Sequence, residues 1–237
     1  LITIFNDLLA NPVEGERFLG EPRALVIAPT RELVMQIAAD AEELGRYTGL
    51  KCATLIGGMD YQKQLNRLGR DVVDLVVATP GRLIDFTGRR DVFLDHVEVL
   101  VLDEADRMLD MGFIPQVKRI VRQTPKKDFR QTLLFSATFT QDIINLSNQW
   151  TESPVTVEIE PDHVATDSVD QRIYLASSEE RFRILVNLLR SDDATSVIVF
   201  ANRRDQVRRL YERLRKASIT CGMLSGEIPQ AKRTKTL

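Results

Sequence analysis

The stretch Val99-Leu-Val-Leu-Asp-Glu-Ala-Asp-Arg-Met-Leu109 decides the fold. Its apolar residues, Val99 to Leu102, run directly into two carboxylates. A continuous apolar run closed by acids predicts a short strand buried on both faces, as in a parallel sheet. Asp103 and Glu104 then stand at the carboxyl end of that strand, where open α/β sheets bind ligands. At such a place in a phosphoryl-transfer site the first acid holds Mg²⁺, usually through water, and the second can activate a water. Acids that merely open a helix, favoured there by its dipole, carry the same letters. The full Asp-Glu-Ala-Asp pattern behind a buried strand favours the chemical role.

Working outward, strands and helices alternate. Arg23–Ala28 reads as a buried strand. Thr30 caps a helix over 31–47 that carries Leu33, Ile37, Ala41 and Leu44 at helical spacing. At Pro29-Thr-Arg-Glu-Leu33 the helix N-terminus, Thr30 and Arg31 make a fair phosphate site, and equally a plain cap with a solvated arginine. Lys51–Ile56 is a strand closed by Gly57-Gly58, which serve a close backbone approach or only a turn. A helix over 60–69 and a strand over 74–78 follow. In Thr79-Pro-Gly-Arg82, Thr79 is expected to cap a helix with Pro80 at its first position, Gly81 next and Arg82 close behind. This repeats the arrangement at Pro29, and two such turns on one sheet edge would make a track for a phosphate backbone. Beyond the acids come a helix over 113–123, a strand over 131–135 delivering Ser136-Ala-Thr138, a helix over 140–149 and a strand over 155–159. Small hydroxyls at a strand end can hydrogen-bond a neighbouring carboxylate, or simply begin a helix.

Residues 160–168 are polar and read as a linker. The alternation then resumes, with strands over 169–175, 196–200 and 219–224 and helices over 178–190 and 203–216. The last helix is strongly basic, which is the ordinary character of a solvated face. Two α/β domains with mainly parallel sheets follow from this order. Residues 1–168 carry 18 basic and 26 acidic side chains, whereas 169–237 carry 14 and 8. The basic second part is therefore able to face phosphate although the whole chain is at −2.

With 43% hydrophobic and 28% charged residues the composition is that of a globular protein. No apolar run approaches the ~20 residues of a membrane helix. Two cysteines, Cys52 and Cys221, are too few for a disulfide framework, so a reducing compartment fits; with two histidines besides, His96 and His163, a zinc cluster is not expected. Leu1–Phe5 does not read as a signal peptide, and the missing initiator Met is expected of a piece of a longer protein.

Taken together, the motifs resemble those of the DEAD-box RNA helicases of superfamily 2 over essentially the whole chain. Asp103-Glu-Ala-Asp106 is similar to their motif II and Ser136-Ala-Thr138 to motif III. Pro29-Thr-Arg-Glu-Leu33, Gly57-Gly58 and Thr79-Pro-Gly-Arg82 resemble the RNA-contacting motifs of the first domain. Val197-Ile-Val-Phe-Ala-Asn202 resembles motif IV, and Gln230-Ala-Lys-Arg233 the Gln-x-x-Arg motif. The resemblance implies two recombinase-like parallel-sheet domains in tandem: 1–159, the ATP-binding domain without its N-terminal part; 160–168, a linker; and 169–237, a truncated second domain. It implies ATP and Mg²⁺ as cofactors, with Asp103 on the metal through water and Glu104 on the attacking water. Asp106, Ser136 and Thr138 would complete the catalytic group. RNA would be held by its backbone at Pro29, Thr30, Arg31, Gly57, Gly58, Thr79, Pro80, Gly81, Arg82, Phe200, Asn202, Gly226, Gln230 and Arg233. The two domains would close on RNA and bend one strand, prying short duplexes apart.

The sequence departs from the family in places. No Gly-Lys pair occurs, so the phosphate loop Gly-x-x-x-x-Gly-Lys-Ser/Thr is absent from these residues. The upstream glutamine motif and motifs V and VI are absent too, and Ser225-Gly-Glu227 stands where most relatives have His-Gly-Asp. The chain is therefore expected to be the middle of a helicase. Its wording is most similar to a bacterial branch, which implies cytoplasmic mRNA decay with a degradosome ribonuclease as partner. A catalytically inactive RNA- or partner-binding module and a DNA helicase of the same superfamily are the alternatives; Asp-Glu-Ala-Asp and Pro-Thr-Arg-Glu-Leu favour RNA.

Overall fold

The computed structural model describes residues 1–159, 169–191, 195–228, 232, 233 and 236. The chain divides into two compact units, Leu1–Thr156 and Val157–Leu237. The first is an α/β fold with a parallel sheet. Its elements are α1 (Ile2–Ala10), β1 (Ala24–Ile27), α2 (Arg31–Leu44), β2 (Cys52–Leu55), α3 (Tyr61–Leu68), β3 (Leu75–Ala78), α4 (Pro80–Gly88), β4 (Val99–Leu102), α5 (Ala105–Asp110), α6 (Ile114–Val121), β5 (Gln131–Leu134) and α7 (Gln141–Trp150). The strand order is β2-β3-β1-β4-β5, and every pairing is parallel.

The period of two along each strand sorts side chains to opposite faces. Leu25 and Ile27 join Val76, Ala78, Leu100 and Leu102 under Leu83, Phe86, Met108, Val117, Ile120 and Trp150 from the helices α4 to α7. Ala24 and Val26 point the other way, with Leu75, Val77, Val99 and Val101, against Ile4, Phe5 and Leu8 of α1 and Val34, Ala38 and Ala41 of α2. Right-handed crossovers account for the split. From β1 the chain moves through α2 towards the β2 edge, and all later crossovers run back the other way on the opposite face. The direction of winding thus reverses between β1 and β4, which opens a crevice at their carboxyl ends.

Capping fixes where the helices begin. Thr30 accepts the Leu33 amide at 3.3 Å and Asp60 the Lys63 amide at 2.9 Å. At the amino edge of the sheet, buried Arg23 pairs with Glu98 through Nε and Nη2, each at 2.7 Å, and donates to the Leu8 carbonyl, tying α1 to the β1–β4 pair. The Glu98 hydrogen bond, against the cost of burial, raises the Arg23 pKa further.

Several local expectations are corrected. Of the expected α2 stripe Leu33, Ile37, Ala41 and Leu44, Ala41 is buried, Leu33 and Ile37 are partly buried and Leu44 is exposed; Val34 and Ala38 complete the buried face. Thr79 stands at the N-cap of α4 with Pro80 in the first turn, as expected, but makes no side-chain cap bond; its amide donates to the Leu55 carbonyl at 3.0 Å, adding a rung to the β2–β3 ladder. Residues 155–159 form no strand: Val155, Val157 and Ile159 point into solvent. In the second unit the described residues form α8 (Glu180–Leu189) and α9 (Arg204–Lys216), while 169–175, 196–200 and 219–224 run without ladder partners. Ile173 and Leu175 are 92% and 97% exposed, because an apolar run is a strand only where a neighbour supplies its hydrogen bonds. The expected linker 160–168 lies outside the described residues. Among the described residues no helix is long and apolar enough to cross a membrane.

Leu100, fully buried at the centre of β4, tests the layering. Leu100→Ala should cost about 2–5 kcal/mol, read as a lower urea midpoint at unchanged m-value.

Candidate nucleotide and RNA interface

Two groups of side chains meet at the carboxyl edge, one on each side of the crevice. The acidic group follows β4 and β5. The Asp103 amide donates to the Ile27 carbonyl at 2.9 Å, extending the β1–β4 ladder by one rung. Asp103 Oδ1 accepts the Glu104 amide at 2.9 Å. Glu104 is left-handed, with φ 49° and ψ 52°, a conformation that costs a side-chain-bearing residue about 1–2 kcal/mol. The kink turns the chain sharply into α5, and the Ala105 amide reaches the Phe135 carbonyl at 3.0 Å. The Glu104 carboxylate lies 3.3 Å from Arg107 Nη1. Asp106 Oδ2 accepts both the amide and the hydroxyl of Thr138, at 3.1 and 3.2 Å. Ser136 Oγ donates to the Thr138 carbonyl at 2.8 Å, so its hydroxyl shapes the 136–138 turn and does not meet a carboxylate.

Two hard carboxylate donors at a crevice suit Mg²⁺, which takes one or two carboxylates and fills its octahedron with water and phosphate oxygens. Among the described residues no three His, Cys, Asp or Glu side chains gather into a metal cage. Asp103 is the residue that would hold the ion.

The cationic group follows β1, β2 and β3. Arg31 opens α2 and lays its guanidinium on the Gly57-Gly58 turn. A Cβ at Gly57 would lie 3.7 Å from Arg31 Nη2; at Gly58, where φ is +75°, it would overlap the guanidinium. The positive φ favours glycine there, and a side chain would push the Arg31 guanidinium off the turn. Buried Gln64 locks the turn from below. Its Oε1 accepts the Ile56 amide at 2.8 Å, and its Nε2 donates to the Ile56 and Asp60 carbonyls at 3.2 Å each. Arg82 Nη2 donates to the Met59 carbonyl in the same turn at 3.0 Å. Thus Arg31 and Arg82, 51 positions apart in sequence, are set by one loop. Pro29 and Pro80 are buried and shape their turns, while Gly81 is exposed at the start of α4.

In the second unit Phe200 is 90% exposed and Asn202 is exposed. Gly226 faces Arg204, and Glu227 beside it pairs with Arg208 at 2.9 Å and Arg204 at 3.7 Å. Arg233 is partly buried; Gln230 lies outside the described residues.

Residues 2–146 match the family model described as DEAD/DEAH box helicase. The chain belongs to the DEAD/DEAH box helicase family. It is 57% identical over its whole length to the ATP-dependent RNA helicase RhlB of Pseudomonas aeruginosa, 56% to that of Pseudomonas putida and 40% to that of Xanthomonas axonopodis pv. citri. It spans 60% of the length of the two Pseudomonas relatives and 42% of the Xanthomonas one. A crystal structure of a DEAD box protein from the hyperthermophile Methanococcus jannaschii superposes with a TM-score of 0.55 at 32% identity, covering 91% of this chain and 57% of that one.

Within this DEAD/DEAH box member, Gln64 is the site residue that the motifs did not reveal. Its signal was available: a polar residue takes the i+3 place on the apolar stripe Tyr61, Leu65, Leu68 of α3. Glu104 offers a direct test of its backbone. Glu104→Gly should stabilise by about 0.5–1 kcal/mol and Glu104→Val destabilise by about 1 kcal/mol or more. The reverse order of urea midpoints would show that the left-handed turn is not what strains this position.

Proposed function

We propose that the whole protein is an ATP-dependent RNA helicase, with residues 1–159 in its first helicase domain and 169–237 in its second. One observation carries this: a single sheet edge holds acids on one side of its crevice and uncapped arginines on the other. Bound ATP with its Mg²⁺ would supply the transferable phosphoryl group and the charge neutralisation that phosphoryl transfer needs. Asp103 would hold the metal, through water. Glu104 orients the attacking water and takes its proton. Asp106 ties that turn to Thr138, and Ser136 fixes the turn's shape.

Thr30, Arg31, Gly57, Gly58, Thr79, Gly81 and Arg82 grip the RNA sugar-phosphate backbone, aided from the second unit by Phe200, Asn202, Gly226, Gln230 and Arg233. Backbone contacts carry no sequence information, so binding is independent of sequence. A strand held bent cannot stay paired, and short duplexes open locally. The protein's place is in cytoplasmic mRNA decay beside a degradosome ribonuclease, which the resemblance of its motifs to a bacterial branch implies. A second reading, an RNA- or partner-binding module without hydrolysis of its own, is favoured by the absence of any Gly-Lys pair in these 237 residues.

RNA-stimulated ATP hydrolysis tests both. In the whole protein Glu104→Gln should lower kcat by a factor of about 10²–10⁴, with ATP and RNA binding retained. Wild-type turnover in that variant would refute the role of Glu104. Turnover by the 237-residue chain alone, above its own Glu104→Gln blank, would refute the binding-module reading.

A further inference from the structure

Beside Arg82 stands a second guanidinium that no motif includes. The Tyr61 ring stacks on Phe86, with centroids 4.2 Å apart and planes inclined by 21°. Arg89 lies 4.4 Å from the centroid of the same ring and Arg82 lies 5.6 Å from it. Both distances are those of a cation held by the ring's electron-rich face. The Tyr61 hydroxyl is anchored on the Asp91 carboxylate. Burial, then that hydrogen bond, pushes the phenol pKa up to about 12, so the ring stays neutral.

These two cations are held by neutral partners. Arg17, Arg23, Arg67 and Arg107 all pair with carboxylates. Arg82 and Arg89 make no ion pair among the described residues; their partners are a backbone carbonyl and an aromatic face. Of the two acids that act on the ring, Asp91 is hydrogen-bonded to the Tyr61 hydroxyl and Asp85 is exposed on α4. The guanidinium N–H groups are oriented yet left available to an anion from outside. Arg82 stands in the first turn of α4 and Arg89 is its C-cap residue, and both guanidiniums lie over the one Tyr61 ring.

We propose that Arg82, Tyr61 and Arg89 form one extended seat for the phosphodiester backbone of RNA, in which Arg89 is a further RNA contact and Tyr61 the positioning residue that holds both arginines. This rests on the RNA role assigned above to Arg82. It lengthens the track set by Arg31 and Arg82 by one contact along α4.

The test is binding of a fluorescein-labelled oligouridylate to the full chain, by anisotropy, across a salt series. Arg89 is exposed at the end of α4, so its side chain can be replaced without touching the core. Arg89→Gln should weaken binding several-fold and flatten the dependence of log K on log salt by about 0.7, one single-strand phosphate contact. Arg89→Lys should restore part of the loss. Tyr61→Leu, which removes the ring, should bind like the arginine variants. If Arg82→Ala weakens binding while Arg89→Gln leaves affinity and slope unchanged, the seat is wrong and the RNA role of Arg82 stands. Unchanged binding with Arg82→Ala overturns that role and the seat with it.

Discussion

The last rung between β1 and β4, the Asp103 amide on the Ile27 carbonyl, sets where the chain leaves the sheet. Parallel strands in register must end together. Ile27 pairs with Leu102 and with Ala78, Leu55 with Ala78, and Leu134 with Leu102, so all five strands of this sheet stop at one level. Whatever follows each strand is thereby delivered to one edge. The acids, the hydroxyl turn, the glycine turn and both arginine turns are far apart in sequence and are gathered by this alignment alone. A slip of one residue in β4 would turn Leu100 and Leu102 to the other face and move Asp103 out of line.

The two sides of the crevice solve opposite electrostatic problems. On the acidic side, three carboxylates lie within four positions, and among the described residues their partners are amides, a hydroxyl and one arginine. Their charge is left to be met by a cation. On the basic side, Arg31 rests on glycine backbone and Arg82 on a carbonyl. Neutral partners orient a guanidinium without cancelling it, which keeps the field directed outward.

Strands on the sheet side of this picture were legible because burial on both faces leaves an unbroken apolar signature, as at Leu25–Ala28 and Val99–Leu102. The Asp103–Asp106 turn was legible for the same reason: charge placed directly after such a run has few structural uses. What periodicity did not show is which way a helix faces when two adjacent stripes are both apolar. In α2, Leu33 and Ile37 neighbour Val34 and Ala38, and the smaller pair lies against the sheet because a helix packs closely over Ala24 and Val26. Nor could it show pairing, which depends on a partner elsewhere in the chain; Val155–Ile159 has the right letters and no neighbour. Gln64 and Tyr61 escaped because their work is done on backbone carbonyls and ring faces, which leave no mark in a motif.

The bond between Asp106 and Thr138 joins two segments that the chain separates by an entire helix pair and a strand. Linkage through such a contact is reciprocal. A pull that draws 136–138 away must release both hydrogen bonds on Asp106, loosening the turn that holds Glu104. A ligand that stiffens the acidic turn must, to the same extent, hold 136–138 in place. The edge of the sheet therefore behaves as a mechanical joint, in which strain entering at either loop is felt at the other.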